Sequence, residues 1–139
     1  MPKSKTVKIF ADGGSRGNPG PAAVGAVLSD KNGKVLSEIS EYIGEATNNV
    51  AEYMAVIYGM QEAIYQKADT IVLNTDSQLV ARQLKGEYKV KDKNLRIFFG
   101  LAVNLFRAFD KVEINEIPRE KNKEADALVN KVLDLKTFV

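Results

Sequence analysis

Four carboxylates stand where an apolar segment gives way to a polar one, and the chain offers few other groups for the same chemistry. It contains no Cys and no His. That excludes disulfides, thiol catalysis and Cys-ligated zinc, and removes the usual general base near neutral pH. Acid–base or metal chemistry must therefore use acids. Asp12 closes the apolar run of "VKIFAD" and is followed by "GGSRGNPGPA". Such a stretch is either an ordinary turn or a place where glycine lets another molecule reach the backbone, with Asp12 as a ligand. Glu52 is the only charge in the eleven residues "VAEYMAVIYGM". A helix apolar nearly all round is buried, and a buried carboxylate must find a partner or become neutral. Alternatively, with Asn49 as helix cap, Glu52 completes a capping box. Asp76 ends the strand-like "TIVLNTD" just before a helix, where a cap would stand. Asp126 flanks the apolar stripe Ala125, Leu128, Val129 and Val132, as a solvated helix charge also would.

Chain order brings these acids together. "TVKIFA", "AAVGAVLSD" and "GKVLSEISEYI" read as three strands, the last two joined by a hairpin turn at Asn32-Gly33. A helical pattern runs from Asn48 to about Lys67, and "TIVLNTD" returns to strand. "SQLVARQL" and "NLRIFFGLAVNLFRAF" read as helices, "KVEINEIP" as a strand near the sheet edge, and "NKEADALVNKVLDL" as a final helix capped by Asn122. The order β-β-β-α-β-α-α-β-α predicts a three-layer α/β domain with a mixed sheet that begins as an antiparallel meander. If the first strand runs up, so do the third, fourth and fifth. Asp12, Glu52, Asp76 and Asp126 then share the carboxyl-end edge of the rising strands, where open α/β sheets bind ligands. Acids so gathered repel one another unless something cationic sits among them. Carboxylate oxygen suits Mg²⁺ or Mn²⁺. Several acids can hold two such ions about 4 Å apart, the arrangement used for in-line phosphodiester displacement.

The motifs "DGGSRGNPGPAAVGAVL", "TNNVAEYMAV", "TDSQLV" and "NKEAD" occur in this order, and together they resemble ribonuclease H, type 1. The resemblance runs from about Val7 to Leu133. It implies a five-stranded mixed sheet with flanking helices, and endonucleolytic cleavage of the RNA strand of an RNA–DNA hybrid. By the same resemblance Asp12, Glu52, Asp76 and Asp126 are metal-binding catalytic acids. Asn18, Asn48, Asn49 and Gln78 touch the hybrid's minor groove and RNA 2′-hydroxyls, Thr47 helps hold a DNA phosphate, and Gly13 lies in the nucleic-acid site. Amide side chains carry both donors and acceptors, which suits a 2′-hydroxyl that is itself both. Turn and cap chemistry competes for some of these amides.

Three departures accompany the resemblance. In place of a Trp-containing basic insertion stands "LKGEYKVKDKNLR", whose Lys89 and Lys91 are candidate phosphate contacts. The loop histidine is missing, and Arg119, or else Glu120, is the candidate to replace it. No separate hybrid-binding domain is expected before the catalytic one.

With 139 residues, 45% hydrophobic and 27% charged, the chain is expected to form one domain, residues 1–139. A net charge of +2 makes charge placement more informative than the total. No apolar run approaches the roughly 20 residues of a membrane helix, and the start does not read as a signal peptide. A cytoplasmic monomer acting on a hybrid, without an obligate protein partner, is the expectation. Competing readings are a nuclease that also cuts RNA–RNA duplexes, a non-catalytic nucleic-acid-binding domain, and a phosphotransfer domain with an aspartyl-phosphate. Against the last, Asp12 lacks a second Asp two positions on and no Lys ends the last strand.

Overall fold

The computed structural model of the protein describes residues 4–137. Strands β1 (Thr6–Ser15), β2 (Gly20–Asp30), β3 (Val35–Ala46), β4 (Thr70–Thr75) and β5 (Lys111–Glu116) form one sheet in the order β3-β2-β1-β4-β5. The first three pair antiparallel; β4 and β5 join β1 in parallel. This is the mixed sheet expected, with β5 at its edge. Helix α1 (Asn48–Tyr65) follows β3, α2 (Gln78–Leu84) and α3 (Lys93–Leu105) follow β4, and α4 (Lys123–Thr137) follows β5.

The strand period of two divides β1 between two helical layers. Val7, Ile9 and Ala11 are buried in the core shared with Tyr53, Val56 and Met60 of α1, and with Leu95 and Ala102 of α3. Each large side chain so buried contributes about 1.5–3 kcal/mol. Neighbouring glycines meet opposite layers: a Cβ on Gly13 would lie 2.1 Å from the Ala51 carbonyl oxygen of α1, and one on Gly14 3.7 Å from Val129 of α4. On β2, a Cβ on Gly25 would lie 2.5 Å from the Ala125 carbonyl oxygen. Residues without a side chain are thus what let α1 and α4 approach the sheet where the acids stand.

Several local expectations are corrected. β1 does not stop at Asp12: Gly13, Gly14 and Ser15 pair with Val24, Ala23 and Ala22 of β2. The irregular loop shrinks to residues 16–19, closed by a hydrogen bond from the Arg16 amide to the Pro21 carbonyl at 2.8 Å. Thr47, not Asn49, caps α1, its hydroxyl accepting from the Val50 amide at 3.2 Å. Glu52 therefore lies beyond the third helical position and forms no capping box. Ser77, not Asp76, caps α2 by accepting from the Val80 amide at 3.2 Å. Asn122 precedes α4 as predicted, but among the described residues its side-chain oxygen has no hydrogen-bond partner, so it does not cap the helix. α3 ends at Leu105, and the chain tightens into a 3-10 turn over Phe106–Ala108.

Candidate active site

The carboxyl ends of β1 and β4 and the first turns of α1 and α4 enclose an open cleft of about 530 Å³. Asp12, Glu52, Asp76 and Asp126 all line it, together with Arg119 and Asn130. Each acid arrives for a local reason. The parallel β1–β4 ladder ends at Ala11↔Thr75, so Asp12 and Asp76 are the next residues on adjacent strands. Asp12 pairs across β2 with Gly25, which has no side chain to crowd it. Asp76 keeps its carboxylate because Ser77 does the capping. Glu52 follows directly on Ala51, whose backbone packs on Gly13. Asp126 sits in the first turn of α4, its amide donating to the Asn122 carbonyl at 3.1 Å. A carboxylate there also faces the positive end of the helix dipole.

Crowding shows in the acidities. Burial is the main cause pushing the Asp12 carboxyl up to about 8; the Asp76 charge, contact with Asp126 and the Glu52 charge add to it. Glu52 is also raised, mainly by burial and further by Asp76, with the Ser77 hydroxyl and the Arg119 charge pulling the other way. Burial and the neighbouring acids thus favour the protonated form of Asp12. The donor set is all oxygen and hard, which fits Mg²⁺ or Mn²⁺ and not softer metals. Among the described residues no three His, Cys, Asp or Glu are grouped so as to hold a metal by themselves.

The remaining predicted residues divide into those at the cleft and those apart from it. Arg119 lines the cleft, whereas Glu120 lines a different one, against Lys8 and Val27 on the sheet. Gly13 lines the cleft too, but it is buried, with α1 where its side chain would be. Asn18 and Asn48 hold the glycine-rich loop to α1 through their oxygens. Asn18 Oδ1 accepts from the Asn48 amide at 3.1 Å, and Asn48 Oδ1 from the Ser15 amide at 2.8 Å. Thr47 spends its oxygen on the cap. Gln78 is exposed and Asn49 half-buried at the starts of α2 and α1. Lys89 and Lys91 are exposed and do not line the cleft. Their loop is nevertheless held: Gln83 Nε2 donates to the Lys89 carbonyl at 3.4 Å, and Arg96 Nε to the Val90 carbonyl at 2.9 Å.

Sequence reasoning missed Ser77, Arg16 and Asn130. The Ser77 side chain hydrogen-bonds Glu52 and draws its carboxyl down, and its sequence signal is a hydroxyl next to Asp76 before a helix. Arg16 lines the cleft while bonding Asp134 of α4 at 2.6 Å. Asn130 lies one turn after Asp126 and donates to its carboxylate at 3.3 Å.

The sequence model of the Reverse transcriptase-like family matches residues 10–132. Ribonuclease HI of Halobacterium salinarum is 46% identical over 128 residues, which are 92% of this chain and 64% of that protein. A bifunctional protein of Mycobacterium tuberculosis is 43% identical over 129 residues, 92% of this chain and 35% of that protein. The chain thus spans less than two thirds of the length of either curated relative. The crystal structure of RNase H1 from Halobacterium salinarum has a TM-score of 0.91 at 46% identity, covering 93% of this chain and 98% of that one. LC11-RNase H1, solved in complex with an RNA/DNA hybrid, has a TM-score of 0.89 at 40% identity, covering 94% of this chain and 99% of that one. With the family matched over most of its length and the sheet, helices and motif order shared with solved ribonucleases H, the chain belongs to the Reverse transcriptase-like family and has the ribonuclease H fold.

Proposed function

We propose that the protein is an endoribonuclease that hydrolyses the RNA strand of RNA–DNA hybrids with the help of divalent cations. The observation that carries this is the open cleft lined by Asp12, Glu52, Asp76 and Asp126 in a chain without His or Cys. The relative solved with an RNA/DNA hybrid supports the choice of substrate.

In this reading the four acids would hold Mg²⁺ or Mn²⁺, two ions in the active complex. Bound there, the ions supply Lewis acidity toward the phosphate and a water of lowered pKa. The chain's own residues do the rest. Asp12 must give up the proton that burial and Asp76 help it keep, so its ligand role couples cation binding to proton release. Arg119 places a positive charge beside Glu52 at the wall of the cleft, where it would attract substrate phosphate. Asn18 and Asn48 have their oxygens committed to the loop, which leaves their amide N–H groups to donate to minor-groove acceptors. Asn49 and Gln78 can both donate to and accept from a 2′-hydroxyl. Gly13 serves by bringing α1 and Glu52 to β1, and Thr47 by fixing where α1 begins. Lys89 and Lys91 stand apart as a held basic edge for backbone phosphates. Residues 1–139 would act as one domain, monomeric and in the cytoplasm; among the described residues no helix is long and apolar enough to cross a membrane.

The test is cleavage of matched hybrid, RNA duplex, DNA duplex and single strands, with Mg²⁺ and Mn²⁺ tried separately and EDTA as control. Hybrid-selective, cation-dependent cutting of the RNA strand is the expected result. Equal cutting of RNA duplex would broaden the substrate class. Binding without cutting under every condition would reduce the protein to a nucleic-acid-binding domain.

A further inference from the structure

Asn122 sits between the 3-10 turn Arg119–Lys121 and α4, is 1% exposed, and makes a bond that its place before a helix does not explain. Its Nδ2 donates to the Ala11 carbonyl on β1 at 2.9 Å, across 111 residues of sequence. Ala11 is the residue immediately before Asp12. Carbonyls two residues apart on a strand point the same way, so Ala11 shares an edge with Ile9, whose carbonyl accepts from Asn74 Nδ2 of β4 at 3.3 Å. The β1–β4 ladder ends at Ala11↔Thr75, after which the chain turns away to Ser77 and α2. Asn122 thus supplies a donor to β1 where the neighbouring strand gives out.

The same residue is bonded in two further directions. Its amide donates to the Arg119 carbonyl at 3.0 Å, and its carbonyl accepts from the Asp126 amide at 3.1 Å. One buried side chain and its own peptide groups therefore join the segments that carry Asp12, Arg119 and Asp126. Among the described residues the opposite side-chain oxygen, Oδ1, is buried without a hydrogen-bond partner, a destabilising state for an acceptor. Asn122 is thus used for its donor alone. An amide makes this tie without charge, where a lysine would alter the field of four nearby acids.

We propose that Asn122 is a positioning residue: it clips the first turn of α4 to β1, sets the separation of Asp12 from Asp126, and thereby sets the affinity of the cleft for a divalent cation. This rests on the reading of the acids as cation ligands. Outer-sphere groups of this kind typically change metal affinity by about 10–100-fold when removed.

The test measures Mn²⁺ binding to the metal-free protein by calorimetry, and Mn²⁺-induced thermal stabilisation in parallel. Asn122→Leu keeps the volume while removing both the donor and the orphaned acceptor. Asn122→Ala serves as a second variant should Leu not fold. Leu28→Ala, in the core near the far end of β2, controls for general loosening. The wild type should bind Mn²⁺, both Asn122 variants should bind it at least about tenfold more weakly, and Leu28→Ala should bind as the wild type does. With hybrid substrate, the variants should need more Mn²⁺ for half-maximal rate at unchanged KM. Wild-type affinity in Asn122→Leu or Asn122→Ala overturns the proposal, as does an equal loss in Leu28→Ala. No Mn²⁺ binding by the wild type overturns instead the underlying reading of the acids.

Discussion

Replacing Asp12 by Asn should change how stability depends on pH, and the direction follows from the site. In the folded protein burial, with the Asp76 charge adding to it, pushes the Asp12 carboxyl up from 3.8 to about 8. Between those values the folded state holds a proton that the unfolded state has lost, so stability falls as pH rises, by about 1.4 kcal/mol per unit at most. The stabilisation is fully present below the unfolded pKa and is gone above about pH 8. From pH 5.5 to 7.5 the wild type should lose roughly 2–3 kcal/mol through this group. For a chain of this size that is a fall in Tm of about 8–12 °C. Asp12→Asn cannot ionise and should lack this component. Glu52 is raised as well and slopes the same way, so the informative quantity is the wild-type-minus-variant difference. Any change in packing from the new amide is independent of pH and drops out of the slope. Urea unfolding at half-unit steps from pH 5 to 8.5, in EDTA, measures it. A difference that stays constant to about 0.5 kcal/mol, the scatter of neutral substitutions, would refute the account of Asp12 as a crowded, buried acid. Saturating Mg²⁺ should flatten the wild-type curve, because a ligated carboxylate holds no proton.

Asp76→Asn should nearly abolish hybrid cleavage while leaving the circular dichroism and Tm intact, since it removes one negative charge from an anion-dense cleft; near-wild-type rates at saturating Mg²⁺ would contradict the cation-site reading. Gly13→Ala should destabilise by more than the ~1–3 kcal/mol of ordinary overpacking, because its Cβ would meet the backbone of Ala51; a denaturation midpoint unchanged from wild type would mean α1 moves freely there. Lys89→Ala with Lys91→Ala should weaken hybrid binding and make the log–log salt slope visibly shallower, as two phosphate contacts release fewer counterions; an unaltered slope would place the loop away from nucleic acid. Asn49→Ala with Gln78→Ala should lose roughly five- to 150-fold in kcat/KM, from two neutral hydrogen bonds of about 0.5–1.5 kcal/mol each. That double variant should also lose most of the wild type's discrimination between an all-ribonucleotide strand and one with a single ribonucleotide at the cut; undiminished discrimination would show that these amides do not sense the 2′-hydroxyl.

Element order and strand direction were readable in the sequence because apolar periodicity is a local property: "TVKIFA", "TIVLNT" and the long apolar helix around Glu52 announce themselves without reference to the rest of the fold. Those directions sufficed to bring Asp12, Glu52, Asp76 and Asp126 to one edge. What adjacent residues do at that edge was not readable. Thr47, Asn48 and Asn49 are all able caps, as are Asp76 and Ser77, and propensity alone does not choose between neighbours. The choice fell to long-range packing. Ala51 must reach the gap left by Gly13, which fixes the phase of α1 and leaves Glu52 free of capping. β1 ran past its apparent end because Gly13, Gly14 and Ser15 found partners on β2. Asn122 looked like a cap in sequence, yet its side chain bonds β1 across 111 residues, a contact no local pattern encodes. The raised pKa of Asp12 is likewise tertiary. The sequence supplied the four carboxylates, but only burial beside Asp76, Asp126 and Glu52 decides that one of them holds its proton at neutral pH, because charge–charge energy depends on distance and dielectric, not on order along the chain.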